Sequence, residues 1–440
     1  MKHLPQVSYR EVFKNRNSIL KNPLPFHREN FELLGDTFLV KVSPLTSVVF
    51  TRDAKLIRHI LQKSHKKYEK SPLQTKDLAK YIGHGLLTSN GEHWRKHRRM
   101  VQPAFHKKKL MGLLEIMQKA IRKELGHIKP NIVQDVLPLM GDLAFQVVAQ
   151  SLFSRDDIQH QMAELQHVTE MNQKMLIKEM RQPYLKWWFR ISGEIDKHLQ
   201  LGAQGREVIN RIIDERIERG VEKDDLLDML LKARYEDGTP MSRRQLIDEV
   251  LILFTAGHET TANALSFTLG LLAKNKEAQQ KAFQEACKID WNSGDIMDNI
   301  AQLKYIKQCI EEGMRLYPPA YIIDRIANVD DEFNGIRIKK NTLFLMSIYE
   351  LQKHASFWKN PETFQPERFD AVLKKDFQEY YYPFGAGPRM CVGNNFAMYE
   401  MVMVIGELVA NYQVHLDEDF EINPLISLKP KSVPLKFTKR

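Results

Sequence analysis

The pattern of apolar and polar positions changes character along the chain. Residues 36–52 alternate apolar and polar side chains, which predicts a β-hairpin. From about residue 53 to 320 the apolar residues recur mostly at helical spacing, and beyond residue 320 short strands and proline-punctuated turns are expected. One more helix is predicted over about 394–412, followed by C-terminal strands.

These segments predict a mainly α fold with a smaller β-rich lobe. The β-rich lobe comprises about 36–52 and 320–345 plus the C-terminal strands, and the helical lobe comprises about 53–320 and 394–412. Gly335 fits a hairpin turn within the β-rich lobe.

The longest predicted helix runs from about Arg243 to Lys274. Ser242 and Gln245 fit a capping box at its start. Its middle is apolar on nearly all sides, which is typical of a buried helix. Four ionisable residues interrupt it: Asp248, Glu249, His258 and Glu259. These charges argue against a membrane span. Ionisable groups in a buried helix also indicate a functional site.

Charge and cysteine content narrow the possible classes. The 440 residues carry a formal net charge of +10, but acidic residues are interspersed and no recognition motif appears, so nucleic-acid binding is not expected. The three cysteines show neither a disulfide framework nor zinc-ligand spacing, which suits a reducing cytoplasm. Residues 1–33 contain neither a run of membrane-span length nor a signal-peptide pattern.

The most informative segment is residues 384–393, Phe-Gly-Ala-Gly-Pro-Arg-Met-Cys-Val-Gly. It matches Phe-x-x-Gly-x-Arg-x-Cys-x-Gly and resembles the haem-binding loop of the cytochromes P450. By this resemblance Cys391 is the thiolate ligand of a haem b iron, a ligand that favours O–O cleavage. Gly385 lets the backbone approach the iron closely, Phe384 shields the sulfur, and the planar fork of Arg389 suits a haem propionate.

Four other segments resemble motifs of the same family, in the same order and at fitting separations. They are Ala-Gly-His-Glu-Thr-Thr at 256–261, Glu312 with Arg315, Pro-Glu-Arg-Phe at 366–369, and Trp94 with Arg98. The likeness runs from about residue 30 to the end. It implies a single cytochrome P450 domain over 1–440, with the haem between the long central helix and the Cys391 loop.

The resemblance assigns roles to further residues. Thr260 and Glu259 are implied as the catalytic pair, a hydroxyl at the oxygen site and an acid that relays protons. Glu312, Arg315 and Arg368 are implied as a structural cluster. Trp94, Arg98 and Arg325 are implied as partners of the haem propionates. Taken alone, the residues also permit purely structural interpretations. Glu312 and Arg315 could form a surface salt bridge, Thr260 could bond locally to the backbone, and Trp94 could pack under the Arg98 side chain.

The substrate is predicted less directly, from the segments that line pockets in this family. Here they fall near 68–87, 175–190, 250–260, 319–324 and 425–430, and the candidate substrate residues are His258, Tyr321 and Tyr68. Their polar and aromatic character favours a small polar substrate. We expect oxidative O-demethylation of a methyl ether such as 6-O-methyl-D-galactose, with release of formaldehyde. The alternative is hydroxylation of a fatty acid or terpenoid, although residues 43–47 lack the arginine of comparable fatty-acid hydroxylases.

The expected partners follow from the same resemblance. Electrons are expected to come from a ferredoxin or flavodoxin with an NAD(P)H-dependent reductase. The enzyme itself is expected to be monomeric, bacterial and cytoplasmic. Several cations could steer an acidic donor, or form an ordinary solvated helix face: Arg95, Lys96, Arg98, Arg99, Lys107, Lys108 and Lys109. A peroxygenase, which needs only peroxide, and a haem-binding sensor, which gives no turnover, are the rival classes.

Overall fold

The computed structural model describes residues 4–43, 46–155, 159–182, 185–220, 222–292, 294–370, 377 and 379–440. The α-helices in these residues are α1 (Tyr9–Lys14), α2 (Arg16–Lys21), α3 (Leu24–Leu34), α4 (Ala54–Arg58), α5 (Ala79–Ile82), α6 (Gly91–Val101), α7 (Lys107–Met111), α8 (Leu114–Leu125), α9 (Val136–Phe153), α10 (Gln159–Arg181), α11 (Lys186–Ile191), α12 (Glu194–Arg219), α13 (Leu226–Lys232), α14 (Arg243–Lys274), α15 (Lys276–Ala286), α16 (Ile296–Gln302), α17 (Lys304–Leu316), α18 (Ile348–Leu351) and α19 (Asn394–Asn411).

Short π and 3-10 helical turns connect several of these elements. The π turns are His59–Lys63 and Leu73–Leu78, and the 3-10 turns are His65–Lys67, Gln102–Phe105, Pro366–Phe369 and Gly387–Arg389.

The strands form one larger sheet and three small ones. They are β1 (Gln6–Val7), β2 (Thr37–Lys41), β3 (Ser47–Thr51), β4 (Tyr68–Glu69), β5 (Val133–Asp135), β6 (Ile322–Ala327), β7 (Asp331–Phe333), β8 (Ile336–Ile338), β9 (Leu343–Ser347), β10 (Tyr412–Leu416), β11 (Ile422–Pro424), β12 (Leu428–Pro430) and β13 (Pro434–Lys439). The larger sheet has the order β1-β2-β3-β9-β6-β4, and the others are β10-β13-β5, β11-β12 and β7-β8. The expected fold class, mainly helical with a smaller β-rich part, is confirmed.

Several predicted elements agree closely with the structure. β2 and β3 form the expected antiparallel hairpin, and α14 has the predicted bounds. The β7–β8 hairpin turns at Asn334 and Gly335, both with positive φ, which is the backbone of a tight two-residue turn.

The predicted capping box of α14 forms only in part. The backbone N–H of Gln245 donates to Ser242 Oγ at 3.3 Å, but the Gln245 side chain turns away and donates to the His84 carbonyl at 2.8 Å. The hydrogen bond from Gln245 to the 83–86 segment therefore replaces the predicted bond between the Gln245 side chain and the backbone of Ser242.

Two of the acids within α14 hold that neighbouring segment in place. Asp248 accepts from the backbone N–H of His84 at 2.9 Å, and Glu249 accepts from that of Leu86 at 3.0 Å. Gly83 has φ +90° and lies so close to Asp248 that a Cβ atom there would collide with the carboxylate. These buried charges are therefore accounted for by hydrogen bonds to backbone donors.

The main core surrounds α14, which packs along α9 and also contacts α12, α17 and α19. In the described part of the chain, α9 (Val136–Phe153) is the one helix whose length and composition would suit a membrane span. Most of α9 is buried inside the protein, and core helices commonly have such a composition.

Candidate active site

A cavity of about 370 Å³ lies between α14 and the Cys391 loop, and it brings together residues that are distant in sequence. The predicted site residues among its lining are Cys391, Phe384, Gly385, Arg389, Trp94, Arg98, Arg325 and Thr260.

The Cys391 loop is shaped by its glycines. The backbone N–H of Cys391 donates to the Phe384 carbonyl at 2.9 Å and closes the loop. Gly385 and Gly387 have φ values of +70° and +69°, which other residues rarely adopt. A Cβ atom on Gly387 would also collide with the Leu61 carbonyl oxygen. The sequence thus fixes a tight loop that presents the cysteine to the cavity.

The Cys391 residue is exposed towards the cavity, and protein atoms surround its thiol on the other sides. This burial raises the pKa of the thiol, whereas a hydrogen bond from the Gly393 backbone and the positive charge of Arg98 lower it. Arg98 is held in place because its guanidinium donates to the Met390 carbonyl at 2.8 Å. The Gly393 hydrogen bond and the Arg98 charge favour the thiolate, which is the form that ligates a metal.

Four cations line the cavity beside the loop: Lys70, Arg98, Arg325 and Arg389. No carboxylate is found among the described lining residues. Arg389 lies 4.0 Å above the centre of the Trp94 ring and donates to the Ser89 carbonyl at 2.8 Å. Burial and the charge of Arg325 lower the pKa of Arg389 to about 10. Asp324 and Glu69 act on members of the cluster from outside the cavity lining, and they offset its positive charge only in part.

Lys70 is the member of this cluster that the sequence did not reveal. It is buried, its ammonium donates to the Leu87 carbonyl, and burial together with Arg325 and Arg389 holds its pKa well below the usual value. No local motif surrounds Lys70, and the two cations that act on it most strongly, Arg325 and Arg389, are about 255 and 319 residues away in sequence.

The described residues fit the haem that the sequence resemblance implies. The Cys391 thiol could supply the thiolate ligand, and the four cations could neutralise two propionates, which pair well with arginine. On the opposite side, Ala256 and Gly257 of α14 are small residues and leave room over the Cys391 loop.

Replacing Lys70 by methionine should weaken haem retention and stabilise the haem-free protein. The substitution removes a hydrogen-bond donor to the propionates. A hydrogen bond to a charged group contributes about 1.5–3 kcal/mol. It also relieves repulsion among the cations when the haem is absent. We expect haem transfer to apomyoglobin to become roughly tenfold faster or more, and the melting temperature of the haem-free protein to rise.

The exposed Lys66 offers a matched control for this substitution. Lys66→Met removes an exposed positive charge four residues earlier in the chain and should change neither quantity. Equal effects of the two substitutions would show that Lys70 acts only through the overall charge.

The two residues of the predicted catalytic pair point to different places. Thr260 lines the cavity, and its hydroxyl donates to the Ala256 carbonyl one turn earlier at 3.0 Å. Glu259 is not among the cavity-lining residues. Its carboxylate accepts from Gln173 at 2.6 Å and from Ser427 at 2.8 Å.

The predicted structural cluster is assembled. Arg315 binds Glu312 through two contacts of 2.7 and 2.9 Å, and both side chains are fully buried. Arg368 approaches Glu312 at 3.4 Å. Burial raises the pKa of Glu312, and Arg315 opposes this rise.

Arg315 also fixes the segment that leads to the Cys391 loop. It donates to three backbone carbonyls along this segment, those of Gln352, Pro361 and Thr363. The contact is therefore a buried support for the haem loop, not a surface salt bridge.

The candidate substrate residues lie outside the cavity lining. The Tyr68 hydroxyl donates to Asp331 at 2.8 Å, and the Tyr321 hydroxyl donates to the Leu425 carbonyl at 2.9 Å. His258 packs edge-on against Phe145 and hydrogen-bonds the Phe254 carbonyl, and burial lowers its pKa. All three have hydrogen-bond partners within the protein and do not line this cavity, and their role in substrate binding stays a prediction.

The character of the pocket also differs from the expectation. Trp187 and Trp188 are 61% and 51% exposed on α11, and Asp324 is buried and binds Gln74 and the Ser71 backbone. Apart from the four cations, Gln74 and two threonines, most of the described lining is apolar. Aliphatic residues of the lining include Leu86, Leu87, Val148, Leu152, Ile252, Leu253, Ile322 and Ile323. Trp187, Trp188 and Asp324 thus lie outside the cavity lining, whereas Lys70 and Gln74 of the same pocket segments belong to it.

Comparison with known proteins agrees with this geometry. A family model described as Cytochrome P450 matches residues 12–437. The chain is 26% identical to cyclooctat-9-en-7-ol 5-monooxygenase of Streptomyces melanosporofaciens, an alignment that covers 86% of this chain and 83% of that protein. It is 28% identical to putative cytochrome P450 132 of Mycobacterium bovis, over 85% and 84% of the two chains. It is 30% identical to probable cytochrome P450 4e1 of Drosophila melanogaster, over 80% and 71%.

Proposed function

This chain belongs to the cytochrome P450 family of haem-thiolate monooxygenases, and we propose that it hydroxylates an apolar, terpenoid-like substrate. The observation that carries the proposal is the aliphatic lining of the cavity around Thr260. When bound, a thiolate-ligated haem supplies the activation of dioxygen. The relative from Streptomyces is named for the oxidation of cyclooctat-9-en-7-ol, which agrees with such a substrate.

The protein's own residues would have separate roles in this reaction. Cys391 would supply the thiolate ligand, and Lys70, Arg98, Arg325 and Arg389 would hold the propionates. The aliphatic side chains exclude water and orient the substrate by shape. The Thr260 hydroxyl and the Glu259 carboxyl, which are neighbours on α14, hold and move the protons that the reaction consumes.

O-demethylation of a small methylated sugar remains a prediction with less support. A sugar carries many hydroxyl groups, and each would lose hydrogen bonds to water in an aliphatic cavity. Among the described lining residues near α14, Gln74, Thr260 and Thr261 are the polar neutral side chains available to replace them.

An optical titration of the haem-loaded protein tests the substrate class. A cyclic terpenoid alcohol should displace water from the iron and shift its spin state, whereas 6-O-methyl-D-galactose should not. A shift with the sugar alone would overturn the proposal and restore the demethylase hypothesis, which formaldehyde release would then verify. A shift with only a medium-chain fatty acid would move the assignment to fatty-acid hydroxylation.

The electron donor is proposed to be a ferredoxin or flavodoxin, reduced by an NAD(P)H-dependent reductase and docking near α6 and α7. Lys96, Lys107, Lys108 and Lys109 are exposed there, whereas Arg95 and Arg99 pair with Glu92 and Glu236. A basic surface steers an acidic partner, and the rate of reduction should therefore fall with ionic strength. A bacterial, cytoplasmic and monomeric enzyme remains part of this proposal.

Replacing Thr260 by alanine should uncouple electron consumption from hydroxylation. Without the Thr260 hydroxyl, the cavity lacks the last donor of the proton path. The yield of hydroxylated product per NAD(P)H oxidised should therefore fall roughly tenfold or more, and peroxide release should rise. Ser266→Ala is the matched control because Ser266 makes the same bond to a carbonyl one turn earlier on α14, away from the cavity. Unchanged coupling in Thr260→Ala would remove Thr260 from the mechanism.

A further inference from the structure

Gln74 lines the cavity from the π turn Leu73–Leu78, and its side-chain amide is held by Asp324 of β6. The Gln74 Nε2 group donates to Asp324 Oδ1, and the backbone N–H of Ser71 donates to Asp324 Oδ2 at 3.0 Å. Asp324 and Ser71 are 7% and 0% exposed, so water competes little with these bonds. The position of the carboxylate is therefore fixed, and both of its oxygens are used.

These contacts decide which way round the Gln74 amide lies. A carboxylate only accepts hydrogen bonds, so the amide nitrogen of Gln74 must face Asp324 and the amide oxygen must face away from it. That oxygen, Gln74 Oε1, is buried and has no hydrogen-bond partner among the described residues. A buried polar atom without a partner has lost the hydrogen bonds that it makes in water. Gln74 Oε1 regains one when a donor enters the cavity that Gln74 lines.

The groups already assigned to the cavity do not supply this donor. Haem propionates are carboxylates and only accept. The Thr260 and Thr261 hydroxyls each donate to a carbonyl one turn earlier on α14, at 3.0 Å. The four cations donate to backbone carbonyls: Lys70 to Leu87, Arg98 to Met390, Arg325 to Asp324, and Arg389 to Ser89. The donor for Gln74 is therefore expected on the substrate.

We propose that Gln74 Oε1 anchors a hydroxyl group of the substrate, and that Asp324 is the positioning residue that sets the direction of the Gln74 amide. The substrate class is then an apolar molecule that carries a hydrogen-bond donor, as a terpenoid alcohol does. Its aliphatic part would contact lining residues such as Ile322 and Ile323. A fixed hydroxyl also limits which carbons can approach the iron. For the identity of the natural substrate, this inference rests on the proposed function.

Imidazole probes test the anchor without turnover and without the natural substrate. The imidazole nitrogen binds the iron of the haem-loaded protein, as a histidine ligand does, and leaves a 1-alkyl chain in the cavity. Two series are compared over a range of chain lengths, one ending in a methyl group and the other in a hydroxyl group. Optical titration gives the dissociation constant of each probe. In the wild type, the ratio of the methyl to the hydroxyl dissociation constant should peak at the chain length that reaches Gln74.

Gln74→Leu should remove this peak, because leucine has a similar size and no acceptor. The ratio at the peak length should fall roughly tenfold. Thr75→Val is the matched control, since Thr75 lies on the same turn, donates to the Ser71 carbonyl at 3.2 Å and is not among the lining residues. It should keep the peak. Absence of a peak in the wild type, or a peak that persists in Gln74→Leu, would overturn the anchor.

Asp324→Asn tests whether Asp324 sets the direction of the Gln74 amide. The new amide keeps an oxygen for the Ser71 N–H and presents its nitrogen, a donor, to Gln74. The Gln74 amide should then turn over and offer its own N–H groups to the cavity. A third probe series ends in a methoxy group, whose oxygen only accepts, and at the peak length it should bind roughly tenfold tighter than to the wild type. Unchanged methoxy binding would overturn the positioning role of Asp324.

The anchor and the proposed function can fail separately. A haem-loaded wild type whose spin state responds to no cyclic terpenoid, whether alcohol or hydrocarbon, would count against the proposed function. The imidazole series would still decide the anchor, because binding to the iron brings each probe into the cavity whatever the natural substrate is.

Discussion

A protein in which Cys391 is replaced by histidine is expected to lose monooxygenase activity and to keep its fold. Cys391 is the described cysteine that lines the cavity, and its loop is closed by backbone hydrogen bonds that do not involve the sulfur. An imidazole can still ligate iron, but it lacks the electron donation of a thiolate. Turnover should fall by at least about three orders of magnitude, as when one member of a catalytic unit is removed.

The measurement is product formation, together with the visible spectrum of the reduced carbon monoxide complex, which reports the thiolate. Cys287→Ser is the control because Cys287 is exposed and away from the cavity, and it should behave as the wild type. Wild-type turnover in Cys391→His would contradict the assignment of the ligand.

Replacing Arg315 by alanine should cause the largest loss of stability. Arg315 is fully buried, binds Glu312 through two contacts and donates to three backbone carbonyls. Removing one partner of a buried ion pair costs about 3–5 kcal/mol because the other charge remains unpaired. The released segment also supports the Cys391 loop, so the haem content of the purified protein should fall as well.

The pH dependence of this loss identifies its cause. Burial already raises the pKa of Glu312, and loss of Arg315 would raise it further. The carboxyl group then binds a proton in the folded variant at a pH where it is ionised in the unfolded chain. The deficit in unfolding free energy should therefore be largest at neutral pH and should shrink as the pH falls towards the usual pKa of a glutamate.

Denaturant unfolding monitored by circular dichroism over this pH range measures both effects. Lys178→Met is a suitable control because it removes the surface ion pair with Glu194, which contributes little to stability. A deficit that does not change with pH would show that the lost backbone contacts, and not the unpaired Glu312, dominate the cost.

The sequence by itself determined the family, the cofactor type and the elements whose signals are local. The bounds of α14, the β2–β3 and β7–β8 hairpins and the helix after Cys391 follow from periodicity, turn residues and caps. The Cys391 loop is equally local because glycines at Gly385 and Gly387 permit the backbone that the loop requires. The catalytic roles of Thr260 and Glu259 and the single domain over 1–440 stay predictions.

The tertiary structure alone decided which polar and aromatic side chains of the predicted pocket segments face the cavity. Tyr68, His258 and Tyr321 lie near pocket segments in sequence, yet each is turned away by a partner that is distant or buried. Lys70 joins Arg325 and Arg389 only through the packing of separate segments.

The physical reason is the range of the interactions. A helix, a turn or a tight glycine loop is stabilised by contacts within a few residues, so a short pattern is enough to predict it. The direction of a side chain such as Glu259 depends on partners 86 and 168 residues away, whose approach is set by packing of the whole core.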